Sequence, residues 1–301
     1  MATAQLDATG VGIHNVLIAT DFSHQSSVVL NYALNFAHRL GAHAEIAYVL
    51  PTDEYAFSGP EALAAAKDAA RRDVLELKTR LRCSQESQED ADYRVSMLEG
   101  PAADCLLEYA REKRIDLIVV GTHGRGGLGK EVIGSVAEKV FRHSPVPVLT
   151  IGRHVQKHRE ICGGHSILAP CDLTPRSHPA VEFARLLAEG QQSHLTVLHV
   201  VEHPNEAMKL DPERVKQGIR EELARIVGKY PDEVDVRYRI EFGKIPSAVL
   251  SVAAEIDADF IVLGVRPSSG LLDRFMWPIA YELVREAVCP VLTIRGNLPV
   301  R

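Results

Sequence analysis

Gly121, Gly124, Gly134 and Ser135 fall in the segment GTHGRGGLGKEVIGSV with the spacing G-x2-G-x9-G-S, directly behind the apolar run Ile115 to Val120. An anion at the end of a strand needs backbone N–H groups aimed at it with no Cβ in the way. The N-terminus of a following helix adds further donors and a partial positive charge. Gly121 and Gly124 permit the turn and the close approach, while Gly134 and Ser135 open the next helical pattern with more N–H groups and one hydroxyl. The chemistry implied is phosphate binding. Two better-known loops match part of the same text. Gly124, Gly126 and Gly129 spell G-x-G-x-x-G, but that fingerprint belongs after a first strand with an acidic residue about 20 positions on, and these glycines follow a fourth. Gly124, Gly129 and Lys130 approach a Walker loop, yet Glu131 stands where the Mg²⁺-binding Ser or Thr must be.

Other reactive side chains are weaker candidates. His123 lies inside the loop and could contact phosphate or act as a base, but without an identifiable partner it reads as a packing or hydrogen-bonding residue. His154, His158, Cys162 and His165 have spacings of 4, 4 and 3, lack the usual paired metal-ligand pattern and are interrupted by Gly163 and Gly164. A solvated linker is the simpler reading, so no metal site is expected. There is no G-x-S-x-G, and the 13 histidines are dispersed, so no catalytic residue is expected.

The elements that position the loop come from alternating patterns. Apolar runs near 15–20, 44–50, 93–98, 115–120 and 147–151 alternate with helical patterns near 25–40, 61–82, 102–113 and 134–143. Continuously apolar strands alternating with helices imply a parallel sheet covered on both faces, a doubly wound α/β domain. Leu63, Ala70, Val74, Leu77 and Leu81, and likewise Val215, Ile219, Leu223 and Ile226, recur at helical spacing and read as core.

The chain then repeats itself. NVLIATDFS from Asn15 lies against SILAPCDLT from Ser166, with Asp21 opposite Asp172, Val49 opposite Val200, and Gly121 opposite Gly264. Residues 13–152 form a first domain, 153–165 a polar linker and 166–296 a second domain, five strands each. A net charge of -6 argues against an electrostatic grip on nucleic acid or anionic lipid. No apolar stretch approaches the roughly 20 residues needed to span a bilayer, and MATAQLDATG lacks the features of a signal peptide. Five scattered cysteines fit reduced thiols, so a cytoplasmic location is expected, without membrane or nucleic-acid partners.

The loop spacing, with IATDFS near the start, AYVL at the second strand and PVLTI at the last, resembles the universal stress protein family over both halves. The spacing G-x2-G-x9-G-[ST] marks the ATP-binding members of that family. The resemblance implies an adenine nucleotide α-hydrolase-like fold. Asp21 with Ala19 and Thr20 would contact adenine or ribose, Val49 would lie by the adenine, and Gly121, Gly124, Gly134, Ser135 and Val136 would line ribose and phosphates. It further implies ATP with Mg²⁺, and a stress-response role exercised through nucleotide-dependent interaction with other proteins. Apart from the family, Asp21 reads either as a hydroxyl acceptor or as a cap for a helix from Ser26. A slow ATPase or adenylating enzyme, for which only His123 and Glu131 offer a base, and a nucleotide-free scaffold remain the alternatives.

The second half departs where it matters, with Pro267, Trp277 and Pro278 in place of Gly124, Gly134 and Ser135. Two lost charge-assisted hydrogen bonds at about 1.5–3 kcal/mol each would weaken ATP by roughly 10² to 10⁴ in Kd. Asp172, His199 and Val200 keep the rest of the pocket edge, and a filled, structural pocket is expected there, with another ligand as the alternative. VPVLTI and CPVLTI are short apolar strands placed at sheet edges, which seek partners. In the resembling family such strands pair between subunits. The two are therefore expected to pair, making the chain an internal pseudo-dimer that assembles further as a homodimer.

Overall fold

The computed structural model describes residues 12–55, 57–84, 92–122, 133–155, 166–203, 211–230, 234–265 and 273–295, without the side chains of 83, 84 and 273–277. Contacts divide the chain into two compact units, Ile13–Val148 and, chiefly, Leu149–Arg301. Among the described residues no helix is long and apolar enough to cross a membrane.

The first unit runs β1 (Asn15–Thr20), α1 (His24–Arg39), β2 (His43–Leu50), a 3-10 turn (Thr52–Tyr55), α2 (Gly59–Ser84), β3 (Tyr93–Glu99), α3 (Ala102–Glu112), β4 (Leu117–Gly121) and α4 (Ser135–His143). Its strands lie in the order β3-β2-β1-β4, and β1 pairs in parallel with both β2 and β4. Val16, Leu17, Ile18, Leu117, Ile118 and Val119 are fully buried, as a sheet covered on both faces requires. β4 starts at Leu117 rather than at Ile115. The carboxylate of Asp116 instead takes the backbone N–H groups of His14 and Asn15, both at 2.9 Å, fixing where β1 begins. Asp259 does the same for Ser166 in the second half, also at 2.9 Å.

The second unit contains β5 (Val148–Ile151), β6 (Ser166–Pro170), α5 (His178–Gly190), β7 (His194–Val201), α6 (Pro212–Val227), β8 (Val236–Phe242), α7 (Ile245–Glu255), β9 (Phe260–Val265), α8 (Asp273–Glu286) and β10 (Val291–Arg295). Its order is β5-β10-β9-β6-β7-β8, so β5 and β10 are hydrogen-bonded neighbours. The parallel pairs β6–β7, β6–β9, β7–β8 and β9–β10 repeat the winding of the first unit.

Helix burial follows the expected stripes with one correction. On α2, Ala70, Val74, Leu77 and Leu81 are buried and Leu63 half-buried. On α6 only Leu223 and Val227 are buried, four residues apart on one face, while Val215, Ile219 and Ile226 stay half-buried. The core-facing line is thus rotated by about one residue from the spacing read in the sequence.

Candidate functional site

The connection through α3 carries the chain from β3 back past β2 to the far side of β1, so the direction of winding reverses between β1 and β4. Open parallel sheets bind ligands in the crevice beyond the strand ends at such a reversal. Two of the sequence's candidate segments meet there, Ala19-Thr20-Asp21 at the end of β1 and Gly121 at the end of β4.

The β1 end is a tightly bonded turn. Asp21 Oδ1 accepts the Ser23 N–H at 3.0 Å, and Thr20 Oγ1 accepts the Phe22 N–H at 3.2 Å. Ser23, not Asp21, caps α1, which begins at His24, its side chain accepting the Ser26 N–H at 3.2 Å. Phe22 between them has φ 60°, a left-handed conformation costing roughly 1–2 kcal/mol in a residue with a Cβ. Its ring packs on Tyr48 with centroids 4.6 Å apart. The second unit repeats the device. Asp172 Oδ1 accepts the Thr174 N–H at 2.9 Å, and Leu173 has φ 61°. One carboxylate oxygen therefore serves the turn in each half, a role signalled only by D-x-[ST] recurring at 21 and 172. Thr20, with a buried hydroxyl that also reaches Ser26 Oγ, belongs to this turn, and Val49 is buried in β2 against Leu98 of β3.

At the β4 end the Gly134 N–H donates to the Thr122 carbonyl at 2.7 Å, and Gly134 is the N-cap of α4 with no side-chain cap. A Cβ at 134 would lie 3.3 Å from that same oxygen, tighter than ordinary contact. Ser135 and Val136, the first two helical residues, are exposed, and the N-cap Gly134 supplies no side-chain acceptor to the first N–H groups of α4. Phe22, Tyr48 and Thr122 escaped the sequence reading, since a ring pair across two strands and a carbonyl closing a loop leave no local pattern. Gly124, His123 and Glu131 lie outside the described residues, as do His158, Cys162 and His165. Among the described residues no three His, Cys, Asp or Glu side chains gather as a metal site.

The second unit differs at the matching helix start. α8 begins at Asp273, so Pro278 sits inside a helix, whereas the aligned Ser135 starts one. The position that offers a helix end in the first unit is mid-helix in the second, and Pro278 donates no N–H. Gly264 is kept for packing. A Cβ there would lie 3.2 Å from the Arg176 carbonyl and 3.4 Å from Ser177 Cα, where α5 approaches β9. Among the described residues the expected filled pocket is not found. An open cleft of about 120 Å³ lies at the ends of β6, β7 and β9, walled by Leu198, Leu263, Ile279 and Leu283, with Asp172 and His199 among its polar groups. Ile279 and Leu283 of α8 form a wall of the cleft without closing it.

Comparison with known proteins places this architecture. The sequence model of the universal stress protein family matches residues 12–152 and again 164–295. The chain belongs to the universal stress protein family. A universal stress protein of Methanocaldococcus jannaschii is 32% identical over 138 residues, 46% of this chain and 71% of its own length. One from Mycolicibacterium smegmatis is 24% identical over 248 residues, 73% of this chain and 80% of its own. The crystal structure of a universal stress protein from Archaeoglobus fulgidus superimposes with a TM-score of 0.70 at 20% identity, covering 94% of this chain and 96% of that one, a likeness of fold. Each half is thus a universal stress protein domain of α/β type.

Proposed function

We propose that the first unit of this universal stress protein binds ATP and that the protein acts in stress response through nucleotide-dependent contacts with other proteins rather than by turnover. The observation that carries the reading is the meeting, at the winding reversal, of the Asp21 turn with the uncapped start of α4. The open N–H groups at Ser135 and Val136 suit a phosphate, and the crowding that a Cβ at Gly134 would meet suits a backbone drawn tightly round an anion. The Asp21 carboxylate, half-buried at the strand end, is of the kind that accepts from a ribose hydroxyl or an adenine amino group. Mg²⁺ would arrive with the triphosphate, held chiefly by phosphate oxygens.

The test is mass analysis of the small molecules released when the purified full-length protein is denatured, followed by equilibrium uptake of ATP and a steady-state hydrolysis assay. ATP at about one equivalent per chain with negligible turnover is expected. A protein that emerges empty and takes up no ATP refutes the reading, and turnover at enzyme-like rates of about 1 s⁻¹ or more refutes its second half.

A further inference from the structure

The cleft of the second unit has a chemistry of its own. At about 120 Å³ and open on one side, it is of the order of an engineered enclosed cavity of about 150 Å³ that holds a single benzene ring, and far below the roughly 300–1,000 Å³ of ordinary ligand pockets. Its floor and walls are mostly aliphatic, including Leu198, Leu263, Ile279 and Leu283. The Cys171 thiol is buried, and burial holds it above the usual thiol range, so it is not a thiolate nucleophile.

The polar groups are few and specific. His199 Nδ1 sits 2.8 Å from the Cys171 carbonyl, which can only accept, so this nitrogen carries the hydrogen. In the neutral ring Nε2, on the far edge from that carbonyl, is then an acceptor. At the mouth Asp172 and Arg176, both exposed, carry opposite charges that offset one another. An anionic chain would meet one guanidinium and one carboxylate, with Pro278 contributing no N–H.

From this geometry we infer that the second unit binds a compact neutral molecule, a single apolar ring bearing one O–H or N–H donor, with the ring among the aliphatic walls and the donor on His199 Nε2. A phenol-sized compound satisfies both demands, and it is uncharged at neutral pH. The two halves of the chain would then hold ligands of different chemistry, and this one is independent of nucleotide at the first site.

Fluorine-detected NMR titration of the full-length protein, kept saturated with ATP, tests the inference with 4-fluorophenol and, as the donor-free match, 4-fluorotoluene. One equivalent of 4-fluorophenol per chain is expected to bind, about five- to tenfold more tightly than 4-fluorotoluene, the difference being one neutral hydrogen bond. His199→Phe should erase that preference, and Ile279→Trp, which fills the cleft from α8, should abolish binding of both. Thermal melts establish that each variant is folded. The inference is overturned by absence of binding to the wild type, by equal affinity for both probes, or by displacement of 4-fluorophenol as ATP is raised. Retained binding in a folded Ile279→Trp variant overturns it as well.

Discussion

The Gly134 N–H donates to the Thr122 carbonyl at 2.7 Å, and the same oxygen lies 3.3 Å from where a Cβ on Gly134 would stand. One carbonyl therefore both ties the start of α4 to the end of β4 and crowds any side chain placed at 134. The hydrogen bond sets the start of α4, and the steric limit explains why glycine occupies 134 although its φ of -57° is open to any residue.

Substitution at this pair separates architecture from binding. Gly134→Ala is expected to destabilise the first unit by about 1–3 kcal/mol, because either Thr122 or the start of α4 must shift. Ser135→Ala should leave the urea midpoint nearly unchanged, since Ser135 is exposed. If its hydroxyl meets a phosphate, ATP affinity in the same variant should fall about 10- to 100-fold, the loss of one hydrogen bond to a charged group. Unchanged ATP affinity in Ser135→Ala would remove that hydroxyl from the site.

The twin aspartates give an internal control. Asp21→Ala and Asp172→Ala each delete the acceptor of an N–H two residues on, and each is expected to cost about 1–2 kcal/mol in denaturant melts. Only Asp21→Ala should strip nucleotide from the purified protein, as read by chromatography of the denatured extract. Equal loss of nucleotide in both variants would contradict a site confined to the first unit.

Gly264→Ala probes the second unit without touching the nucleotide site proposed for the first. The added methyl would press on the Arg176 carbonyl, Ser177 Cα and Ala180 Cβ, so a loss of about 1–3 kcal/mol is expected with ATP content unaltered. A variant as stable as the wild type would show that α5 yields easily, and the packing account of this glycine would fail.

Tyr109 provides a pH dependence. Its hydroxyl donates to the buried Glu45 at 2.8 Å and lies 3.1 Å from Ser96 Oγ. Burial above all, with the Glu45 carboxylate adding to it, holds the phenol above its usual range. The folded state then keeps a proton that the unfolded chain releases, so the associated stability is complete below about pH 10 and lost as pH rises toward the folded value. Tyr238, raised by burial and by Tyr230, acts in the same sense. In alkaline denaturant melts Tyr109→Phe should flatten the decline of stability. At neutral pH it should cost about 1–3 kcal/mol, because Glu45 loses a donor. A variant whose stability declines with pH as steeply as the wild type's would rule Tyr109 out as a source of the dependence.

Much of this protein was legible in its residues. The alternation of apolar runs with 3.6-residue stripes predicts the α/β class, and the match of Asn15 onward with Ser166 onward predicts the repeat, because both depend only on local order along the chain. The glycine spacing after β4 marked a candidate loop for the same reason. The stripe on α6 was misplaced because half-burial depends on which neighbour covers a helix, and the buried Glu45 was missed because its partner Tyr109 is 64 residues away.

By itself the sequence determined the family, the duplication and the loss of the glycine signature in the second half, since these are patterns of residue type and spacing. Only the tertiary structure decided that β1 has β2 and β4 as neighbours and so brings Asp21 and Gly121 to one crevice. It alone showed that Thr122 crowds a side chain at 134, that α8 starts early enough to put Pro278 inside a helix, and that the second half keeps an open cleft. Each of these turns on distances between segments far apart in the chain, which strand order sets and local sequence does not encode.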